Sequence, residues 1–320
     1  MEFNSNTNHR LVIASSPHLH SRWSTKQAMW LVVLALLPSL IASVIFFGVY
    51  QLLIVTTSVF FSVLTETLIK KIRKKKISIA DGSAIITGLL LGLILPPNFS
   101  ITSTAIGAVF SIAIGKEIFG GLGFNIFNPA LVGRAFLQAA FPVAMTTWQK
   151  PYYAVDTITS ATPLASFKFD KAVTEIQPLI LGNIGGSIGE TSAVAIIIGG
   201  VFLIGIGIVN WRIPVSMIIG IMLISAIFWL VDPLKYASPL FHLFAGGYLF
   251  GVFFMATDWV TSPITAKGMW IFGIGIALIV VVIRTFGGLP EGVMYSILIM
   301  NAIVPIINRL TTPKIFGADK

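Results

Sequence analysis

The sequence has no cysteine and little charge. Lys, Arg, Asp and Glu make up 10% of its 320 residues, against about 25% in ordinary globular proteins. The missing thiols exclude disulfides, iron–sulfur ligation by this chain and c-type haem attachment. Histidine is scarce too: His9, His18 and His20 lie near the N-terminus and only His242 lies elsewhere, which argues against a b-type haem held between helices. No glycine-rich nucleotide-binding fingerprint is present. The polar first 27 residues are not followed by a short apolar run with a small-residue cleavage site, so a removed signal peptide is not expected. Any redox role therefore needs a cofactor other than a thiolate-held metal centre.

What is abundant is apolar mass. Hydrophobic residues form 56% of the chain and Phe alone occurs 24 times. So few charges could not cover the surface of a soluble fold of this size. The composition predicts an all-α polytopic membrane protein with room for about ten spans of about 20 residues each. The intervals read as 27–47 and 51–65 with a break near Gly48–Gln51, then 82–97, 101–115, 124–145, 191–209, 213–231, 240–257, 268–284 and 290–308. Polar segments 1–27, 146–190 and 309–320 flank two transmembrane units, 28–145 and 191–308.

The net charge of +9 does not point to nucleic acid, because the basic residues sit between apolar runs rather than along one surface. They act as topological anchors instead. Lys70, Lys71, Arg73, Lys74, Lys75 and Lys76 form the densest cluster, and a short loop like this one belongs on the cytoplasmic side. With both termini cytoplasmic, only Arg134, Lys150, Lys168, Lys171, Lys235 and Arg284 of the 21 basic residues fall elsewhere.

The two units resemble each other. Phe119-Gly-Gly-Leu122 recurs as Phe286-Gly-Gly-Leu289, and Gly88-Leu-Leu-Leu-Gly92 resembles Gly247-Tyr-Leu-Phe-Gly251. Each of the latter pair precedes a proline break, Pro96-Pro97 or Thr261-Ser-Pro263. An odd number of spans per unit makes the second copy inverted, and inverted repeats with Gly/Pro-interrupted segments place a site at their interface.

The topology sorts the polar residues into two groups, each able to line a pocket near one face. The cytoplasmic group holds Asp81-Gly-Ser83, the stretch from Gly120 through Asn125 to Asn128-Pro129, and Asp258 to Pro263. The outer group holds Pro96-Pro97, the 146–190 loop with Gly185 to Glu190, and Gly287 to Glu291. Asp81 and Glu190 stand where helices begin, so capping is the simpler reading for each. Three-residue spacing puts Asn125 and Asn128 on one helix face, where two amides suit the edge of a heterocyclic ring and Asp258 adds an acceptor. Arg134, well inside a span at a cost of roughly 2.5–3.5 kcal/mol, either pairs with a carboxylate or carbonyl or contacts an anion such as a phosphate. Asp81, Glu117 and Asp258 are carboxylates that could contact an ion, and the sequence does not rank them.

The outer loop carries Asp156-Thr-Ile-Thr-Ser160-Ala-Thr162-Pro163-Leu164. Pro163 biases Thr162 toward an extended conformation. The small Ser160 and Ala161 would let the strand enter another protein's active site, where the Thr162 hydroxyl could be esterified. On composition alone, an ordinary polar loop is the favoured reading.

This stretch closely resembles the flavinylation motif, in which a transferase links FMN through its phosphate to the final threonine. Ser160 departs from the usual glycine but is also small. Further segments resemble the RnfD proteins of the Rnf electron-transport complex, relatives of the NqrB proteins of the sodium-translocating NADH:quinone reductase: Ser16-Pro-His18, Asp81 to Pro97, Phe119 to Ala130, Gly185 to Glu190 and Ala256 to Pro263. The short N-terminal tail and Ser-Ala-Thr-Pro-Leu favour the RnfD branch.

The resemblance implies a urea-transporter-like fold in a bacterial or archaeal cytoplasmic membrane. It implies covalent FMN on Thr162 and a non-covalent riboflavin matched to Asn125, Asn128 and Asp258. It implies one role, electron relay between flavins in a ferredoxin:NAD⁺ oxidoreductase complex coupled to Na⁺ or H⁺ transport. The implied partners are a periplasm-facing FMN subunit, two small membrane subunits with an iron–sulfur centre, cytoplasmic NADH- and ferredoxin-facing subunits, and the flavin transferase. The alternative is a transporter or channel for a small solute on the same inverted-repeat fold, which would need no Ser-Ala-Thr motif.

Overall fold

The computed structural model describes residues 23–75, 79–151 and 161–313. The Ser16-Pro-His18 segment, Asp156 and Ser160 lie outside the described residues. Among those described, the chain is helical with no strand.

The first two helices are α1 (Thr25–Phe47) and α2 (Tyr50–Ile72). A capping box starts α1, with the Ser24 hydroxyl accepting from the Gln27 N–H while the Gln27 side chain accepts from the Ser24 N–H. Gly48, at φ 85°, ends it. There follow α3 (Ser83–Leu93), α4 (Ile101–Ile112), α5 (Pro129–Ala140), α6 (Ala193–Gly205), α7 (Arg212–Val231), α8 (Tyr248–Phe250), α9 (Ala266–Phe286) and α10 (Val293–Leu310). A π-helical turn, Ala113–Glu117, extends α4, and another, Gly251–Met255, extends α8.

Five of these, α1, α2, α7, α9 and α10, are long and apolar enough to cross a membrane. The chain is a polytopic membrane protein. Every predicted interval contains a helix, but not every one is continuous. At about 1.5 Å per residue, the 11 residues of α3 reach roughly half-way through a hydrocarbon core about 30 Å thick. The 240–257 interval is broken into Pro239–Phe244, α8 and its π turn, with Gly246 at φ 69° between them.

Short helices leave backbone groups to be satisfied at membrane depth. The end of α3 finds partners in the other half of the chain. Ile188 N–H donates to the Leu95 carbonyl at 3.0 Å and Gly189 N–H to that of Leu93 at 2.7 Å. A Cβ on Gly189 would stand 2.7 Å from the Leu93 Cβ, so this approach requires glycine.

The same pairings recur in both halves. Helix α2 packs on α4 and α4 on α5, while α7 packs on α9 and α9 on α10. Across the halves α1 and α6 run antiparallel: Trp23, before α1, donates its indole N–H to the Ile206 carbonyl beyond the end of α6 at 3.1 Å. This is the packing that an inverted repeat requires. Small residues sit at the contacts, as where Gly88 and Gly92 of α3 abut the backbone of Val59 and Val55 of α2. Ser39, Ser43, Ser58 and Ser62 are buried, while Ile41, Leu223, Leu230 and Ile306 are exposed. An apolar exterior of this kind suits lipid or partner subunits.

Candidate functional site

Two cavities lie where the polar groups collect. The first, near the bundle end that carries Lys70 to Lys75, holds about 820 Å³ of empty space including its mouth. Ser83, Lys116, Asn125, Asn128, Phe254, Asp258 and Trp259 line it. The chain reaches this wall because Gly120, Gly121 and Gly123 take φ values of 128°, 103° and 91°. That left-handed region is open to glycine at little steric cost.

Asn125 and Asn128 are therefore brought together by a loop and not by one helix face, which corrects the expectation from their spacing. Asn128 is the N-cap of α5, its Oδ1 accepting from Ala130 N–H at 3.0 Å and Leu131 N–H at 3.4 Å. Its Nδ2 donates to the Met255 carbonyl at 3.2 Å, and its backbone N–H to Asn301 Oδ1 at 3.3 Å. Asn125 donates to the Phe127 carbonyl at 3.2 Å and reaches the Asp258 carboxylate. Asp258 accepts from the Thr261 hydroxyl at 3.0 Å. Burial raises its carboxyl above the ordinary range, opposed by Thr261, the Val260 N–H, Lys116 and Asn125. The Trp259 indole is held at the wall by a 2.8 Å bond to the Ile208 carbonyl.

Composition carries no hint of a buried charge cluster beside this cavity. Lys116 donates to Glu66 Oε2 at 2.7 Å and to Ser83 Oγ at 2.6 Å, and Lys70 pairs with Glu66 Oε1. The charge pattern treats Lys70 and Lys116 as surface anchors; both are buried. The signal available is Glu66, the first charged residue of α2 and one turn before Lys70. Lys116 needs the fold, because its partners are 33 and 50 residues away. Asp81 caps as expected, its Oδ1 accepting from the Ser83 N–H and hydroxyl at 2.9 and 2.8 Å.

The second cavity, about 1280 Å³ including its mouth, is lined by Arg134, Thr162, Gly185, Glu190, Leu289 and Glu291 among others. Leu122 lines the first cavity and Leu289 the second, so the two Phe-Gly-Gly-Leu copies serve different cavities. Thr162 is half-buried and extended, with φ −66° and ψ 155°. Its Oγ1 accepts from Ala165 N–H at 3.2 Å, capping the helical run from Pro163. Lys168 ties that run to the bundle by donating to the Ile283, Arg284 and Leu289 carbonyls at 3.3, 3.2 and 2.8 Å. Burial, then the neighbouring Lys171, lowers the Lys168 ammonium below its ordinary value.

Arg134 pairs with carboxylates. It donates to Glu190 Oε1 and Glu291 Oε2, both at 3.1 Å. Of the two readings of Arg134, this is the one the structure shows. Glu190 does not cap α6; Ser192 does, accepting from Ala195 N–H at 3.3 Å. Glu291 also accepts from Gly247 N–H at 2.8 Å. Arg284, the last residue of the 268–284 interval, is buried and donates to the His242 and Ala245 carbonyls at 2.5 and 3.0 Å. Pro96-Pro97 does not line the cavity; Pro97 accepts from the buried Gln51 amide at 3.2 Å.

Comparison with known proteins gives the family. A family model described as the NQR2, RnfD, RnfE family matches residues 12–317. The D subunit of the proton-translocating ferredoxin:NAD(+) oxidoreductase complex of Clostridium ljungdahlii is 44% identical over 319 residues, 96% of each chain. The D subunit of the Na(+)-translocating ferredoxin:NAD(+) oxidoreductase complex of Acetobacterium woodii is 45% identical over 315 residues, 97% of this chain and 96% of the relative. The D subunit of the ion-translocating oxidoreductase complex of Yersinia enterocolitica is 36% identical, covering 96% and 99%. A match of this extent leaves one conclusion: the chain belongs to the NQR2, RnfD, RnfE family.

Proposed function

We propose that the chain is the D subunit of an ion-translocating ferredoxin:NAD⁺ oxidoreductase complex and carries flavin at both cavities. It sits in the bacterial cytoplasmic membrane with both termini cytoplasmic, as two inverted five-helix units. FMN is esterified to Thr162, and riboflavin occupies the cavity lined by Asn125, Asn128 and Asp258. The observation that carries this reading is Thr162, half-buried, extended and lining the larger cavity. Bound flavin supplies the electron-carrying chemistry, and the protein supplies position and electrostatics.

The residues present fit those groups. Asn125 Oδ1 and Asp258 retain acceptor capacity toward a ring N–H, whereas both lone pairs of Asn128 Oδ1 are used in capping. Phe254 and Trp259 give the first cavity apolar walls. At the other cavity Pro163 and Lys168 hold Thr162 in place. Arg134 joins Glu190 to Glu291 and, with its Nε unpartnered in the cavity that Thr162 lines, remains the proposed phosphate contact. With no thiolate and no nucleotide fingerprint, electrons must come from and go to other subunits. Those partners are the periplasm-facing FMN subunit, the two small membrane subunits with an iron–sulfur centre, and the NADH- and ferredoxin-facing subunits; the transferase loads FMN.

Relatives named for protons and for sodium are equally similar to this chain, so overall identity does not select the coupling ion. The test is in-gel fluorescence of denatured protein made with its transferase. A covalent flavin band that vanishes in Thr162→Ala supports the reading, and a wild-type protein with no band overturns it in favour of a solute transporter.

A further inference from the structure

The buried Lys116 is not accounted for by packing. An ammonium has three N–H donors, and Lys116 uses two, on Glu66 and Ser83. It lines the cavity that holds Asn125 and Asp258. Its partner Glu66 also accepts from Lys70. Asp258 lines the same cavity, and its carboxylate feels the Lys116 charge. The cavity thus offers a carboxylate and an amide to a ligand's donors, and a cation with a spare N–H to its acceptors.

A π turn puts Lys116 there. The segment Ala113–Glu117 winds wider than the helix before it, and such bulges often occur at functional sites. The side chain is 2% exposed, and a cation so far from water acts strongly on charge that changes beside it.

We infer that Lys116 is the cationic contact of the non-covalent flavin and sets its reduction potential. This rests on the proposed riboflavin site. Reduction adds electron density on the pyrimidine side of a flavin, and a fixed ammonium there stabilises the reduced form more than the oxidised one. Glu66 tempers the effect by holding the other side of the same ammonium. The pair Glu66 and Lys116 is therefore a setting with two directions. Removing the cation favours the oxidised flavin, and removing its counter-ion favours the reduced one.

The test is a redox titration of the non-covalent flavin in the purified complex, with acid extraction to count it, for the wild type, Lys116→Gln, Lys116→Arg and Glu66→Gln. In Lys116→Gln the reduced form should lose about tenfold of its relative binding, which for two electrons lowers the potential by about 30 mV. Glu66→Gln should shift it the other way, and Lys116→Arg should stay near the wild type. If Lys116→Gln empties the site, refilling by Lys116→Arg supports the contact and failure to refill overturns it. An occupied site whose potential ignores Lys116→Gln, or shifts the same way in Lys116→Gln and Glu66→Gln, also overturns it. A wild type with no extractable flavin would instead refute the riboflavin site itself.

Discussion

Asn125, Asn128 and Asp258 share one wall but do different work. Asn128 is committed to capping α5 and to the Met255 carbonyl, whereas Asp258 keeps acceptor capacity at the cavity. Asp258→Ala should lower extractable flavin several-fold and leave the covalent band intact. Unchanged flavin would refute the assignment. Asn128→Ala should act first on stability, since losing an N-cap costs about 0.5–2 kcal/mol, read as a lower thermal midpoint in detergent. Residue type and spacing picked out these three positions. The capping role was not legible, because a three-residue spacing fits a helix face as well as a glycine-shaped loop that ends on a cap.

Among the elements, the short helices depend on close contacts that only glycine permits. A Cβ at Gly88 would stand 2.5 Å from the Val59 Cα, and backbone cannot yield as a flexible side chain does. Gly88→Ala should therefore push α3 off α2 and cost about 1–3 kcal/mol, the usual range for overpacking. Gly205, at the end of α6, where a Cβ would meet nothing within 4 Å, should accept alanine without loss; equal melting shifts for the two would contradict this contrast. The segment Pro163–Asp170 depends on Lys168 in the same way. Lys168→Met removes three bonds to the end of α9 and its following loop, and should reduce covalent flavin loading while Thr162 is unchanged. Full loading in that variant would show that the anchor is dispensable. Helix positions were readable from charge-free runs, but helix lengths were not. Apolar composition continues through Leu95-Pro96-Pro97 after the helical bonding has stopped.

For the molecule as a whole, the two halves are joined by charge as well as by the α1–α6 contact. Arg134 comes from the first unit, Glu190 from the end of the connecting segment and Glu291 from the second unit. Arg134→Gln leaves two carboxylates without their cation, one of them almost fully buried, and a broken buried pair costs about 3–5 kcal/mol. Glu291→Gln should be milder, because its side chain is 24% exposed and Glu190 still holds Arg134. Thermal stability by size-exclusion in mild detergent should rank them in that order, and equal losses would refute the asymmetry.

Membrane class, approximate helix positions, the likeness of the two halves and the motif on which the FMN proposal rests were all readable in the amino-acid sequence. These are local or compositional properties: apolar runs, charge clusters, and a contiguous motif. Tertiary structure alone decided which charges meet. It showed that Lys70 and Lys116 are not surface anchors, that Arg134 holds Glu190 and Glu291, and that the end of α3 is completed by Ile188 and Gly189. Each of those outcomes joins residues far apart in the chain, and at membrane depth a polar group must find its partner wherever the fold brings one, since no water is there to replace it.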